Sequence, residues 1–374
     1  MPNRATWGGS MSNGDDITVY FATNRDIAGS DNEPRFGNRF NEKGPQIFRV
    51  GEAVVQRVSR RRSEYRFRRA RLEPEDLSSP NPDNIKLGSK SLFDTLRQQL
   101  AETKRDALVY LHGFANTFAN TMERAAALHD QYLIKKASAD ADNTPYSPIV
   151  FTFSWPSDGR AFPSVEYYMS DRDDAEASGL AMTRSLTALL NFLLEIRAQS
   201  RRGDGEPCGQ CLHLVAHSMG NWALRNAVVA MARDTSPRPL PRIFEHVFLM
   251  AADEDEDCFE TDLKLGLLPQ LAHFVHVYHS KNDRALQISD VSKGNANRLG
   301  VDGPRNLERI NTWVFAVDCR DVDWTELEHG RHQYYRLRQE VIDDVSAILS
   351  DVPPDEVPGR TFTGTPRRFR IQAR

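Results

Sequence analysis

The chain has 374 residues, of which 40% are hydrophobic and 27% charged, the balance of a folded globular protein rather than a disordered one. Its 48 basic and 52 acidic residues nearly cancel to a net charge of −4, which gives no support to a nucleic-acid-binding protein. No apolar run approaches the about 18 residues of a membrane helix, and the polar N-terminus lacks the apolar core of a signal peptide.

The cysteine content indicates a reducing compartment. Four cysteines in a chain of this length are too few for a disulfide framework. Cys208 and Cys211 form a C-x-x-C pair, but no second ligand pair accompanies it, so we interpret both as ordinary thiols rather than a zinc or redox site. We therefore expect a cytoplasmic protein with no metal and no cofactor.

The N-terminal part is expected to carry strands. Residues 1–16 are polar and are predicted to be a disordered lead, and residues 17–90 to form an N-terminal β extension with a linker. Within 17–90 we predict a strand over 17–22, a long loop over 27–46, a hairpin over 48–58 and 65–72, and a surface linker over 73–90.

The hairpin is rich in arginine. Its basic residues are Arg57, Arg60, Arg61, Arg62, Arg66, Arg68, Arg69 and Arg71. Binding to nucleic acid or another anionic surface is one interpretation. We favour the other, a solvated edge strand whose positive charge deters pairing with further strands.

From residue 91 onward, apolar strands and helices alternate. Strands are predicted over 107–111, 149–155, 212–216, 246–252, 273–278 and 312–317. Helices are predicted over 91–103, 118–136, 171–197, the residues after 218, and 336–349. This alternation predicts a mostly parallel sheet with helices on both faces, in a catalytic domain over 91–350 followed by a basic tail over 351–374.

One predicted strand leads into a turn that presents a serine. The apolar run 212–216 is followed by His217-Ser218-Met219-Gly220 and then by a helical pattern. A strand, a sharp turn with small residues on either side of a serine, and a helix make up the nucleophile elbow of hydrolases. Ala216 replaces the usual first glycine and adds only one methyl group there. Ser218 is therefore the candidate nucleophile.

The remaining catalytic groups are sought at the carboxyl ends of the other strands, where active sites of such sheets gather. His112-Gly113-Phe114 follows the strand 107–111, and its backbone is placed to help bind an oxyanion. The predicted donors are the N–H groups of Phe114 and Met219. His112 is itself a possible base, but a structural role is favoured.

Two acidic residues are candidates for the partner of the catalytic base. Asp283 lies in the loop after the strand 273–278, and Asp253 ends the preceding strand. Asp253 belongs to a cluster of carboxylates, which we interpret as helix-terminal charge in a solvated loop rather than a metal site, because no set of histidines accompanies it. We favour Asp283.

The base is expected after the final predicted strand. His329 and His332 both lie in that region, and an imidazole is close to half-charged near neutral pH. We favour His332, which precedes Tyr334 and Tyr335, with His329 as the alternative. The resulting order, Ser218, Asp283 and His332, is the order in which the triad residues follow one another in α/β-hydrolases.

These pieces together resemble a bacterial family of α/β-hydrolases of unknown function. The matching segments are residues 19–25, 111–114, 153–157, 214–221, 280–286 and 332–335, and the resemblance extends over about residues 17 to 350. It implies an α/β-hydrolase fold, a triad of Ser218, Asp283 and His332, and hydrolysis of carboxylic esters. It leaves the natural substrate, the substrate-binding residues and the oligomeric state open.

The expected function is therefore that of a serine hydrolase acting on small esters with short to medium acyl chains, without a nucleic-acid partner or a membrane span. A thioesterase, an amidase or a lipase would use the same triad, and a non-catalytic binding scaffold is a further alternative. The aromatic segment 156–170 is either a cap over an acyl pocket or a packed connection before a helix.

Overall fold

The structure is a computed structural model that describes residues 15–59, 63–76, 81, 85–136, 144–157, 159, 165–202, 209–286, 297–322 and 328–373. Nearly all of the lead predicted over residues 1–16 lies outside this part of the chain. So do Arg60, Arg61 and Arg62 of the arginine-rich hairpin, Cys208, and most of residues 158–164 in the segment that was interpreted as either a cap or a connection.

The described strands alternate with helices over most of the chain. The strands are β1 (Asp16–Thr23), β2 (Arg25–Ser30), β3 (Glu33–Phe40), β4 (Arg49–Ser59), β5 (Glu64–Leu72), β6 (Ala107–Leu111), β7 (Ile149–Ser154), β8 (Leu212–His217), β9 (Phe244–Met250), β10 (Ala272–His279), β11 (Val314–Asp318), β12 (Arg360–Phe362) and β13 (Arg368–Ile371). The α-helices are α1 (Gly88–Thr103), α2 (Phe118–Gln131), α3 (Val165–Ala177), α4 (Gly179–Arg202), α5 (Gly220–Thr235), α6 (Leu268–Leu271), α7 (Leu299–Asp302), α8 (Tyr334–Leu337) and α9 (Gln339–Leu349).

Eleven strands form one sheet, in the order β12-β13-β11-β10-β9-β8-β6-β7-β1-β4-β5. The strands from β13 through to β1 are parallel to one another, whereas β4, β5 and β12 add antiparallel edges. The predicted mostly parallel sheet with an N-terminal β extension is therefore confirmed. The extension is continuous with the sheet, because β1 pairs in parallel with β7.

Helices cover both faces of the sheet, and each face has its own apolar core. One core joins α1, α4 and α5 to side chains such as Val109, Leu214 and Leu249. The other joins α2, α8 and α9 to the alternate side chains of the same strands, such as Tyr110, Val215 and Phe248. The central strands are apolar at nearly every position because both of their faces are buried.

Local sequence explains several element boundaries. Thr117 caps α2: its hydroxyl accepts from the backbone N–H of Asn120, whose side chain accepts in return from the Thr117 backbone N–H. Such caps satisfy N–H groups that have no partner within the helix. At its C-terminal end, α1 is closed by Lys104, the residue after the helix, which adopts the left-handed conformation. The Lys104 N–H donates to the Leu100 carbonyl.

Three predictions of secondary structure are corrected. The segment 27–46, predicted as a loop, contains the hairpin of β2 and β3, which is held by antiparallel backbone pairing although its sequence is polar. The helix predicted over 171–197 is two helices, α3 and α4, which separate at Ser178. The tail predicted over 351–374 contains β12 and β13, and β13 extends the sheet beside β11.

The parallel arrangement has one consequence for function. The carboxyl ends of β1, β6, β7, β8, β9, β10 and β11 lie along one edge of the sheet. Loops that leave these strands therefore meet at this edge although they lie far apart in the sequence.

Candidate active site

Ser218 lies at the tip of a strained turn between β8 and α5. Its φ is 55°, a left-handed conformation that is uncommon for a residue with a side chain. The turn is fixed on both sides: the Ser218 N–H donates to the Met250 carbonyl (2.9 Å), and the Ser218 carbonyl accepts from the Asn221 N–H (3.0 Å). A strained strand-to-helix turn of this kind exposes the serine hydroxyl above the sheet.

Two glycines allow the turn to lie close to its neighbours. A Cβ on Gly220 would lie 2.6 Å from the carbonyl oxygens of Leu111 and His112, and a Cβ on Gly113 would lie 2.8 Å from the Cβ of Ser218. The loop after β6 therefore packs directly against the serine. This close packing brings the Phe114 and Met219 backbones to the same edge as Ser218.

The two predicted oxyanion donors have free backbone N–H groups. Within the described residues, neither the Phe114 N–H nor the Met219 N–H donates a hydrogen bond to another group of the protein. Met219 directly precedes α5, so its N–H also lies at the positive end of that helix dipole. Both groups are available to a negatively charged oxygen.

His332 and Asp283 are paired. The His332 Nδ1 is 2.7 Å from Asp283 Oδ2, and the Asp283 side chain is fully buried whereas His332 is 9% exposed. The second oxygen, Asp283 Oδ1, accepts from the Leu286 N–H at 3.1 Å. The carboxylate is thus fixed in place and holds His332 through Nδ1, and among the described residues Nε2 has no hydrogen-bond partner.

The loop that carries His332 is held from several directions. Arg331, directly before it, has a φ of 59°. Tyr334 and Tyr335, directly after it, bond to the sheet and to α2: the Tyr334 hydroxyl donates to the Tyr278 carbonyl (2.9 Å), and the Tyr335 carbonyl accepts from the Tyr132 hydroxyl (2.7 Å). Buried tyrosines with satisfied hydroxyls fix the backbone on which His332 depends.

His217 is a site residue that the sequence analysis missed. Its Nε2–H donates to the His332 carbonyl at 3.1 Å, and its ring packs 4.6 Å from the His332 ring and 4.4 Å from the Tyr335 ring. Burial, followed by the proximity of His332, holds the pKa of His217 well below its ordinary value. The neutral ring links the backbone of His332 to the turn that carries Ser218. Only its position next to Ser218 signalled such a role.

His112 has no free nitrogen with which to act as a base. Its Nδ1–H donates to the Gly113 carbonyl at 2.9 Å, and its Nε2 accepts from the Trp155 N–H at 3.1 Å. Burial, followed by the positive charge of Arg25, holds its pKa well below the ordinary value. This arrangement supports the structural role favoured from the sequence.

Asp253, the rival acid, has other partners. It accepts from the Tyr168 hydroxyl, and its Oδ1 lies 3.8 Å from the Nε of Arg298. Asp253 and its neighbour Glu254 are buried, so the expectation of a solvated loop is wrong for these two residues. The Glu254 pKa rises to about 7, mainly because of burial and despite the positive charge of Arg225. The side chain of His329, the alternative base, is outside the described part.

No group of three His, Cys, Asp or Glu side chains among the described residues is arranged to hold a metal ion. Cys211, Cys258 and Cys319 are free thiols, and burial raises the pKa of each. None of the helices in the described segments is long and apolar enough to cross a membrane.

Comparison with known proteins agrees with this fold. No curated protein matches the sequence. A solved structure of a gene product from Listeria innocua aligns over 68% of this chain and 97% of its own, with 14% identity and a TM-score of 0.31, which is too loose to support an argument. A family model for alpha/beta hydrolases of unknown function (DUF900) matches residues 89–349, well over half of the chain. The chain therefore belongs to this family of α/β-hydrolases.

Proposed function

We propose that this α/β-hydrolase cleaves carboxylic esters through a triad of Ser218, His332 and Asp283. The observation that carries the proposal is the 2.7 Å contact between His332 Nδ1 and the buried Asp283 carboxylate, at the sheet edge where Ser218 sits on its strained turn. A buried acid that fixes the tautomer of a histidine beside a serine is the arrangement that activates a hydroxyl for acyl transfer.

The proposed reaction has two steps. In the first, His332 Nε2 takes the Ser218 proton while the hydroxyl oxygen attacks the ester carbonyl, and Asp283 stabilises the imidazolium that results. The tetrahedral oxyanion accepts from the N–H groups of Phe114 and Met219, and collapse of the intermediate expels the alcohol, which takes the proton from His332. In the second step, water activated by His332 attacks the acyl-enzyme and releases the acid.

In this mechanism the two oxyanion donors supply most of the electrostatic stabilisation of the transition state. Removing one such donor commonly costs about 3–4 kcal/mol in the transition state. Both N–H groups belong to the backbone, so side-chain replacement of Phe114 or Met219 tests them only indirectly. The free state of both N–H groups supports this role.

Hydrolysis of p-nitrophenyl esters from acetate to palmitate tests the proposal, with wild type and Ser218→Ala measured side by side. We expect turnover by wild type, with an optimum among short to medium chains, and its loss in Ser218→Ala. A thioester and an anilide of the best acyl group, measured in parallel, separate an esterase from a thioesterase or an amidase. Folded wild-type protein that turns over none of these substrates would sink the proposal and favour a binding scaffold.

The compartment is part of the same proposal. The three described cysteines are all free thiols, as is usual in a reducing environment. We propose that the enzyme acts in the cytoplasm on a small-molecule ester. Labelling of Cys211 by a thiol reagent in protein taken directly from cells would support a reducing location, and quantitative oxidation would oppose it.

A further inference from the structure

The loop that follows β6 is held by two charged residues to which the proposed mechanism assigns no role. We infer that Arg25 and Asp171 are positioning residues, which fix residues 113–116 so that the Phe114 N–H points at the oxyanion. This inference rests on the proposed ester hydrolysis. It explains why a strained loop keeps the Phe114 N–H free while the N–H groups of Ala115 and Asn116 are bonded.

The loop needs support from outside. Ala115 has a φ of 56°, which costs free energy for a residue with a side chain and persists only when the surroundings enforce it. Within the loop, the Asn116 side-chain amide donates to the carbonyls of Gly113 and Phe114, both at 2.8 Å. These two bonds gather the carbonyls on one side, but they leave the N–H groups of Ala115 and Asn116 to be satisfied by other elements.

Asp171, on α3, accepts directly from one of those N–H groups and supports the other through Ser157. Its Oδ2 accepts directly from the Ala115 N–H at 3.1 Å. The same oxygen accepts from the Ser157 hydroxyl at 2.5 Å, and the Ser157 oxygen in turn accepts from the Asn116 N–H at 3.0 Å. One fully buried carboxylate therefore fixes two consecutive peptide groups of the loop.

Arg25, the first residue of β2, also holds the loop. Its Nη2 donates to the Asn116 carbonyl at 2.7 Å, and its Nε donates to the Ser154 hydroxyl at 3.0 Å. Its Nη1 lies 3.5 Å from the Ser157 carbonyl, at the limit of a hydrogen bond. The guanidinium is fully buried and shares Ser157 and the loop with Asp171, so the two opposite charges are bridged by common partners.

The network leaves Phe114 as the exception. The N–H groups of Ala115 and Asn116 both donate, whereas in the described structure the Phe114 N–H has no protein acceptor. A donor that is rigidly held and unpaired in the resting enzyme needs no reorganisation when the oxyanion forms. If the loop relaxed, the Phe114 N–H would turn away from Ser218, although the triad itself would stay intact.

The test compares four variants with wild type on the best p-nitrophenyl ester. Asp171→Ala removes the carboxylate, Asp171→Asn keeps an acceptor oxygen of the same shape, and Ser157→Ala removes only the bridging hydroxyl. Asp173→Ala is the matched control, because Asp173 lies on the same helix and is exposed. The measurements are kcat, KM, the inhibition constant of phenylboronic acid, which forms a tetrahedral adduct with a reactive serine, and circular dichroism as a check of folding.

We expect kcat of Asp171→Ala to fall about 100-fold with KM within about threefold of wild type, since misplacement by about 1 Å has effects of this size. The inhibition constant of phenylboronic acid should rise by a similar factor. For Ser157→Ala, kcat should fall about tenfold, because only the bridging hydroxyl is lost. Asp171→Asn should have a kcat much closer to that of wild type than Asp171→Ala has, and the kcat of Asp173→Ala should equal that of wild type.

Several outcomes would overturn the inference. If kcat of both Asp171→Ala and Ser157→Ala stays within twofold of wild type, or if only KM changes, then these residues do not position the Phe114 N–H for the oxyanion. Loss of rate with unchanged boronate inhibition would assign the effect to another step. An inactive wild type would instead defeat the proposed function itself. An active wild type, with an inactive Ser218→Ala and a fully active Asp171→Ala, would defeat only the positioning role.

Discussion

Two groups of histidines lie in this molecule, one at the carboxyl edge of the sheet and the other within the sheet. His332 belongs to the first and is paired with Asp283. The second is a row of His213, His246 and His276 on the neighbouring strands β8, β9 and β10, with ring centroids 5.4 and 5.3 Å apart. Both groups consist of the same residue type, yet we propose catalysis at the edge alone.

The difference lies in access and partners. His246 Nδ1 bonds to His276 Nε2 at 3.2 Å, so the row pairs with itself, and Phe248 and Phe274 pack against its rings. Burial, followed by the proximity of His213, lowers the pKa of His246 to about 2, and burial, followed by the proximity of His246, holds the pKa of His276 well below its ordinary value. His246 and His276 are buried and bonded to each other, and His213 lies 3.4 Å from the carboxylate of Asp106, directly before β6, so none of these three rings pairs with a carboxylate at the carboxyl edge of the sheet as His332 does. Surroundings, rather than residue type, separate a base from a core residue.

The contrast between the edge histidines and the histidine row predicts its largest effect on activity at His332. His332→Ala should lower kcat by about five orders of magnitude or more, because the serine loses its base. The matched control is His276→Phe, which replaces a ring of the histidine row by one of similar shape and should keep kcat within about threefold. Steady-state hydrolysis of a p-nitrophenyl ester measures kcat of both variants. Equal losses in the two variants would remove the distinction between the regions.

The second effect concerns the acid. Asp283→Asn should lower kcat about 10⁴-fold, since an amide in place of the carboxylate favours the wrong tautomer of His332. Asp253→Asn, which changes a carboxylate bonded to Tyr168 and close to Arg298, should have a far smaller effect. Full activity of Asp283→Asn, with loss of activity in Asp253→Asn, would transfer the role to Asp253.

The smallest effect is one of pH on stability. Because the folded-state pKa values of His246 and His276 are lowered, the unfolded chain binds protons below pH about 6.5 while the folded chain does not, and the free energy of unfolding falls as the pH falls. Between pH 7 and pH 5 each of these histidines should contribute a loss on the order of 2 kcal/mol. Urea unfolding at both pH values measures this loss, and His276→Phe should reduce it.

The dependence of the free energy of unfolding on pH shows whether the histidine row is protonated in the folded protein. A stability that stays constant from pH 7 to pH 5 would mean that the histidine row takes up protons in the folded state, contrary to this prediction. His276→Phe with an unchanged dependence on pH would assign the acid sensitivity to other buried imidazoles, such as His112 and His217, whose pKa values are also lowered.

The sequence determined the parts of this protein that depend on neighbours in the chain. Each central strand is an apolar run because both faces of the sheet are covered, so β6, β8 and β10 were predicted to within one or two residues. The elbow at Ser218 was visible because a strand, small flanking residues and a helix follow one another directly. The alternation predicted a mostly parallel sheet, the resemblance to a hydrolase family implied the α/β-hydrolase fold, and the matching family model confirms that fold.

The polar edges of the sheet were not predictable in the same way. The hairpin of β2 and β3 has no apolar alternation, and what places it is the stacking of Phe36 on Phe118 at 3.6 Å between ring centroids. In the segment read as a basic tail, Arg360 bonds to the buried Asp344 of α9, and Phe369 and Ile371 enter the core. Such strands are stabilised by partners that are distant in sequence.

The site shows the same division. Ser218, Asp283 and His332 were proposed from strand ends and chain order, because parallel strands bring their carboxyl ends to one edge whatever their separation in sequence. The sequence already favoured Asp283 over Asp253, but only the fold supplies the 2.7 Å contact between Asp283 and His332. Arg25 lies 91 residues from Asn116 in the chain, and no local pattern links them. Local sequence sets strands and turns, whereas tertiary packing decides which polar groups share a buried space.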